Sequence, residues 1–527
     1  MWRSWLRNET YQTRALALVL ACLVLLLFFP AFSFHFIQLD DPKHIAENPF
    51  LNPPALVKLP DLWRDTYFGM YIPVTYTLWG LTAIFTNIGQ YPAVFSPKIY
   101  HGLNVLLHLA NVLILFSLLH SLTRARFASF LGALFFAWHP LQIESIAWVS
   151  SLKDLLSTTF SLLCIAALLR WEPQTRGKWK YYFYALGAFA LAILSKPSAV
   201  MLPICAAAIL WWFRAQPMKR LFQFLGPWLL LAVPIALITK EAQPNGSVLH
   251  VAPFWQRPYI ALDALGFYVS KLMVPWNLSM DYGRNPQWVL GQFSPYCVLF
   301  LAFFALVMYF RKRLGAFPRA LSLAAIALIP VMGFVPFLFQ IFSTVADRYL
   351  YFPLSLLAIG LALFLATHRE RKVWLGVGGT LMLLGALTRY QLPKWQDGVH
   401  IFEHSVSVNP RSVLANNNLG VEYQVRGRFK EAAESFARAL ELDPERYDLY
   451  GNLGAALVAS GNTQAGIDKL LFAEANGATP LIVHYNLGRA YLRLGQYKKA
   501  HQYATLALKL EPNTPRVQEL YRATRQN

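Results

Sequence analysis

Long apolar runs divided by short basic clusters fix the terms on which this chain can fold. Residues 15–36 are almost wholly apolar, enough for the roughly twenty residues a helix needs to cross a bilayer. In lipid every backbone N–H and C=O must be satisfied inside the segment, so such a run folds as a helix. Comparable runs recur as far as residue 390. With 56% hydrophobic and only 14% charged residues, the chain has the composition of an integral membrane protein.

The basic clusters orient the runs, because cytoplasmic connections collect Lys and Arg. Arg3, Arg7 and Arg14 precede the first run. Arg124 with Arg126, the stretch from Arg170 to Lys180, Arg214 with Lys219 and Arg220, Arg311 through Arg319, and Arg369 with Arg371 and Lys372 follow. Together they hold 19 of the 32 basic residues in positions 1–409. The pattern predicts a cytoplasmic N-terminus, an uncleaved first anchor, eleven spans and a C-terminal region outside the cytoplasm. Apolar stretches near 68–88 and 257–276 begin and end on the outer face and read as interfacial or re-entrant helices. The formal charge of +20 is therefore topological, and it implies no nucleic-acid partner. Cys22, Cys164, Cys205 and Cys297 all fall in apolar segments, which leaves no loop cysteine pair for a disulfide framework or a thiolate metal site.

The last quarter of the chain is a repeat array. Asn418-Leu419-Gly420, Asn452-Leu453-Gly454 and Asn486-Leu487-Gly488 recur at 34-residue spacing, and Gly427, Gly461 and Gly495 follow in step. A 34-residue period with small residues where paired helices touch is the tetratricopeptide pattern. Three such units over 411–512 stack into an α-solenoid with a concave groove. The fold class is all-α: a polytopic helical domain over 1–390, a linker over 391–410, the repeats, and a C-terminal helix or tail over 513–527.

Ionisable groups in or beside spans are costly, so each is a functional candidate. Asp40 and Asp41 follow the first run directly, with His44 close behind, in an outer loop covering 37–98. Adjacent carboxylates repel, so the pair needs a cation, a proton or a catalytic task; the alternative is a solvated turn before Pro42. A second group is His139-Pro140 with Glu144, continuing to Lys153-Asp154. These residues either line a site or pair as interfacial charges. His101, Asn104, His108 and Asn111 share one helical stripe, the usual pattern of interhelical hydrogen bonding; His101, nearest the outer end, is the one of catalytic interest. Lys196 in Ser195-Lys196-Pro197 and Arg348 in Ala346-Asp347-Arg348-Tyr349 bring cations to the same face. Arg348 starts a helix, a place suited to a phosphate, or else to a cap by Asp347 and headgroup contact. Carboxylates, histidines and cations on one face fit a lipid-linked phosphosugar. Cations would stabilise the departing phosphate, and a carboxylate would deprotonate an acceptor hydroxyl or orient a metal.

Taken in order, these motifs with C-terminal repeats resemble the transmembrane-and-tetratricopeptide family of protein O-mannosyltransferases and its bacterial relatives, of the GT-C class. The resemblance covers nearly the whole chain. It implies a polyprenyl- or dolichyl-phosphate sugar donor, transfer on the non-cytoplasmic face, and inversion at the anomeric carbon. It makes Asp41, with Asp40 as the alternative, the catalytic base or a ligand for a divalent metal ion such as Mg or Mn. It makes Lys153, Lys196 and Arg348 the donor-phosphate contacts, with His44, His101, His139, Glu144, Asp154 and Asp347 lining the site. Gln142 and Ile72 stand where that family often carries histidine and arginine, which bears on the sugar or acceptor rather than on the class. The repeat groove would take an acceptor protein or a partner enzyme, and membrane lipid surrounds the rest. The compact chain points to a bacterial inner membrane, with the repeats in the periplasm. The rival readings are a non-enzymatic scaffold for an envelope complex, and a flippase for a lipid-linked saccharide.

Overall fold

The computed structural model describes residues 9–87, 95–172, 174–243, 252–478 and 480–525. Arg3 and Arg7, expected to hold the N-terminus in the cytoplasm, lie outside the described residues, as do 88–94 of the expected outer loop and 244–251 of the later one. Among the described residues the structure is helical, and its strand-like pairing is the isolated bridge between Tyr67 and Met70. It divides into two compact units, Met1–Asp397 and Gly398–Asn527.

In the first unit each of the eleven expected runs carries a helix. Five are long and apolar enough to cross a membrane: Tyr11–Ser33, Pro97–Thr123, Val149–Leu168, Pro197–Arg214 and Asp347–Thr367. Met218–Leu225 and Trp228–Ala242 make a sixth if this pair, bent by 45°, counts as one span. The remaining runs are shorter or more charged. Arg126–Trp138 and Phe317–Val331 are short apolar helices, Trp179–Ser195 has 17 residues, and Pro295–Leu314 and Arg371–Gln391 carry basic side chains in their terminal turns. The outer stretches are helices too, Pro73–Thr86 and Arg257–Met273.

Small residues let these helices approach closely, the arrangement that favours packing inside a bilayer. A Cβ on Gly132 would lie 2.9 Å from Ala362 Cβ and 3.0 Å from the Ala358 carbonyl, and one on Gly360 would lie 2.5 Å from Ala320 Cβ. The polar stripe on Pro97–Thr123 is spent on the same packing. Asn104 donates to the Trp148 carbonyl at 2.9 Å, Asn111 to the Leu155 carbonyl at 3.0 Å, and His108 Nδ1 pairs with the Tyr351 hydroxyl at 2.8 Å. These bonds tie one helix to the start of Val149–Leu168 and to Asp347–Thr367.

A buried ion pair organises the later outer segment. Arg284 binds Asp263 through two guanidinium nitrogens, and Ser294 donates to the same carboxylate. The Arg284 guanidinium also stacks 4.4 Å from the Tyr296 ring and 4.8 Å from Trp288. Its own carbonyl accepts from the Thr344 amide at 2.9 Å and hydroxyl at 2.8 Å. This fixes the extended stretch leading into Asp347–Arg348.

The second unit contains three helix pairs, Val413–Val425 with Phe429–Leu442, Tyr447–Ser460 with Thr463–Ala475, and Pro480–Arg493 with Tyr497–Leu510. Gly420 meets Phe436 and Gly454 meets Leu470 and Gly466 too closely for any side chain. Gly427, Gly461 and Gly495 turn between the helices of each pair at positive φ, which glycine adopts without strain. The expected tail carries the helix Pro515–Arg525, and the expected linker over 391–410 carries the 3-10 turn Leu392–Trp395 and the helix Gly398–Val408.

Candidate functional site

The site is assembled where the segment after the first long helix, two broken turns and two helix starts meet within the first unit. Pro42 opens a single helical turn, Asp41–His44, that holds the acidic pair in place. His139-Pro140 ends one helix and starts the short sequence of turns 140–142, 143–147 and 149–151, which delivers Glu144, Trp148 and Ser150. Asp347 and Arg348 stand in the 3-10 turn that opens the helix Tyr351–Thr367.

The two aspartates have different surroundings. Asp41 is fully buried, and both its carboxylate oxygens are taken: one accepts the Ile37 amide at 3.0 Å, the other the Ser150 amide at 3.0 Å and hydroxyl at 2.5 Å. Burial raises its pKa to about 7; the Ser150 and Ile37 donors oppose that, and Asp40 beside it adds to it. Asp40 is half-buried, and no hydrogen-bond donor is assigned to its carboxylate among the described residues. Burial raises its pKa as well, against the pull of Lys153 and Arg348. Asp41 thus ties the segment after the first helix to the 149–151 turn, while Asp40 lies within electrostatic reach of the cations.

Those cations are held by carboxylates and aromatic rings. Arg348 binds Glu144 twice, through its guanidinium and through its backbone N–H at 2.9 Å. Its guanidinium lies 4.3 Å from the Phe339 ring and 5.3 Å from Trp148. Lys153 sits over the same Trp148 ring at 5.8 Å, in electrostatic reach of Asp40, Asp154, Arg348 and Lys196. Lys196 is paired with Asp154 and lies 5.3 Å over the Tyr349 ring. Face-on aromatic contact with a cation is worth about 0.5–2 kcal/mol according to desolvation. Behind Arg348, Asp347 accepts from the Tyr282 hydroxyl at 2.9 Å and feels Lys271.

A cleft of about 440 Å³, counting its open mouth, begins at this cluster. Asp154, Ser157, Thr158, Ser161, Lys196 and Arg348 form its polar side, and Ala327, Val331, Phe352 and Pro353 its apolar side.

Of the residues expected from the sequence, Asp40, Lys153, Asp154, Lys196, Glu144, Arg348 and Asp347 come together. Three histidines do not join them as free groups. His44 is buried among Phe68, Tyr76 and Trp79, with Nδ1 on the Tyr76 hydroxyl at 3.0 Å, and burial holds its pKa well below the ordinary range. His101 packs edge-on against Phe34 and bonds the His35 carbonyl at 3.3 Å. His139 accepts the Leu141 amide and bonds the Leu272 carbonyl, with its pKa lowered to about 4 by burial. His44 Nε2 and His101 Nδ1 stay buried without a hydrogen-bond partner among the described residues. The expected divalent metal would rest on Asp40 and Asp41 alone. Among the described residues no group of three or more His, Cys, Asp or Glu side chains is placed to hold an ion. Asp41 has both oxygens occupied, and Asp40 lies within electrostatic reach of two cations that would repel a metal.

Ser150, Tyr282 and Lys271 also belong to the neighbourhood and were not expected. A serine between Val149 and Ser151 carries no signal of its own; Lys271 on the expected interfacial helix was the one detectable in principle, as an ionisable group at headgroup depth.

Comparison with known proteins agrees with this architecture. Family models for the tetratricopeptide repeat match residues 413–446 and 482–514. Over most of its length the chain is similar to protein O-mannosyl-transferases. It is 24% identical to one from Caenorhabditis elegans over 77% of this chain and 59% of that protein. It is 21% identical to human protein O-mannosyl-transferase TMTC3 over 92% of this chain and 57% of the human protein. The chain thus spans under three fifths of the length of these relatives. Within a shorter stretch, 19% of this chain, it is 30% identical to the probable UDP-N-acetylglucosamine–peptide N-acetylglucosaminyltransferase SPINDLY of Hordeum vulgare.

Proposed function

We propose that the protein is a membrane glycosyltransferase that moves a sugar, mannose by analogy with its relatives, from a polyprenyl-phosphate donor to an acceptor hydroxyl on a protein. The observation that carries this reading is Asp40, a carboxylate with no hydrogen-bond donor among the described residues, within electrostatic reach of Lys153 and Arg348, the second of which lines a cleft with both polar and apolar walls. A soluble sugar nucleotide gives no reason for apolar walls beside a cluster of cations; a phosphosugar on an isoprenoid does.

In the proposed reaction the acceptor hydroxyl oxygen attacks the anomeric carbon from the face opposite the phosphate. The new C–O bond forms as the carbon–oxygen bond to phosphate breaks, with inversion, and the bonding pair leaves on the phosphate. Asp40 takes the hydroxyl proton. The phosphate gains one negative charge as Asp40 loses one, so the net charge of the cluster and its ligand is unchanged. Lys153, Lys196 and Arg348 are already in place for the charge that develops on the leaving oxygen, which is how preorganised cations lower a barrier. A raised pKa suits Asp40 to accept a proton near neutral pH. In this reading Asp41 is a positioning residue, and the base is its neighbour.

Transfer on the non-cytoplasmic face follows from the basic clusters, with the repeats on that side to present the acceptor or a partner enzyme through their groove. The test is single-turnover release of label from polyprenyl-phosphate mannose by the reconstituted protein, with candidate acceptor proteins present. Turnover in the wild type that persists in Asp40→Asn would remove Asp40 from this role.

A further inference from the structure

We infer that Asp154 reads a hydroxyl of the donor sugar, and so sets which sugar the enzyme accepts. The inference rests on the transferase reading and names what that site recognises. Asp154 is only 4% exposed, yet it lines the cleft. One of its oxygens holds the Lys196 ammonium. The other, Oδ2, is buried with no hydrogen-bond partner among the described residues. A buried carboxylate oxygen left unpaired is costly, and a donor arriving with a ligand relieves that cost.

The surroundings select the kind of donor. Lys196 and Arg348 border the same cleft, so an ammonium or guanidinium ligand is disfavoured there. Ser157 and Thr158 follow Asp154 along one helix and line the cleft, and neither side-chain hydroxyl makes a hydrogen bond among the described residues. Neutral hydroxyl groups on the ligand satisfy all of these: they donate to Asp154 Oδ2 and exchange hydrogen bonds with Ser157 and Thr158. A sugar joined to the phosphate held by Lys196 and Arg348 brings such hydroxyls to this wall. Fixed on one oxygen by Lys196, the carboxylate presents the other at a set position, so one hydroxyl of the sugar should matter far more than the rest.

The experiment uses the full chain in lipid nanodiscs. It measures kcat/KM for polyprenyl-phosphate mannose and for its 2-, 3-, 4- and 6-deoxy analogues, and binding of polyprenyl phosphate without sugar, for the wild type and Asp154→Asn. A hydrogen bond to a charged acceptor corresponds to about a 10- to 100-fold effect. The wild type should lose that much at one deoxy position and far less at the others. In Asp154→Asn the difference between the parent donor and that analogue should shrink to a few-fold, whatever the loss of the Lys196 partner does to binding of the lipid phosphate itself. Equal wild-type rates on every deoxy donor would overturn the inference without any variant, as would a uniform loss on all donors in Asp154→Asn. If the wild type neither binds nor turns over any of these lipids, the transferase reading itself fails, and this inference with it.

Discussion

Replacing Asp41 with Asn separates a structural aspartate from a catalytic one. The buried carboxylate accepts three hydrogen bonds, two from Ser150 and one from the Ile37 amide. Asparagine keeps an acceptor for Ser150 but turns its amide toward the Ile37 N–H, leaving a buried donor unpaired at a cost of about 1–3 kcal/mol. Against this stands the burial of the charge. The Asp41 pKa rises from 3.8 to about 7 on folding, equivalent to about 4 kcal/mol. Because the folded state holds the proton more tightly, this contribution favours the fold fully below pH 3.8 and is lost as pH rises through about 7. Asp41→Asn should therefore be less stable than wild type at pH 5, and the gap should close or reverse by pH 8. Thermal unfolding of the purified protein across that range reads this crossing directly. Turnover measured on folded Asp41→Asn should stay within about tenfold of wild type, since the base is intact. A variant with the wild-type stability profile and no turnover would refute the assignment and make Asp41 the base.

The same geometry fixes three further outcomes. Turnover should rise with pH as Asp40 ionises, with a midpoint above the ordinary carboxylate range, and Lys153→Met should move that midpoint higher, because Lys153 is the larger of the two cationic influences that lower it; the pH–rate profile checks both. Glu144→Gln strips the buried Arg348 of its ion-pair partner and should destabilise the first unit by about 3–5 kcal/mol, seen as a lower unfolding temperature; Glu144→Gln combined with Arg348→Met should recover stability but not turnover. Because the proposed reaction routes no step through a metal ion, chelation with EDTA should leave turnover unchanged, and a loss restored by Mg or Mn would contradict the proposed chemistry.

Much of this was legible in the sequence because the physics behind it is local or severe. The 34-residue period fixes which glycines face a neighbouring helix, and Gly420 and Gly454 lie where a Cβ would clash. Charge in a membrane is costly enough that Asp40, Lys153, Asp154, Lys196, Glu144 and Arg348 could be picked out singly and expected to meet. The division of labour between Asp40 and Asp41 was not legible. It depends on Ser150, 109 residues away, and adjacent identical residues carry no sign of which one a distant turn will occupy. The contacts of the histidines were not legible for a related reason. An imidazole near an outer surface reads as chemistry, but His44 fills an aromatic box with Trp79 and Tyr76, and His101 and His139 bond main-chain carbonyls. The Asp263–Arg284 pair escaped notice because its partners come from a helix and a loop with no shared motif.

The account stands on Asp40 as the proton acceptor, and its most direct test is a single-turnover assay in proteoliposomes with radiolabelled polyprenyl-phosphate mannose and an acceptor protein. Wild type is compared with Asp40→Asn after unfolding curves show both to be folded. Losing the base should slow sugar transfer by about 10²- to 10⁴-fold while donor binding persists. A folded Asp40→Asn protein that transfers sugar at the wild-type rate would contradict the account at its centre.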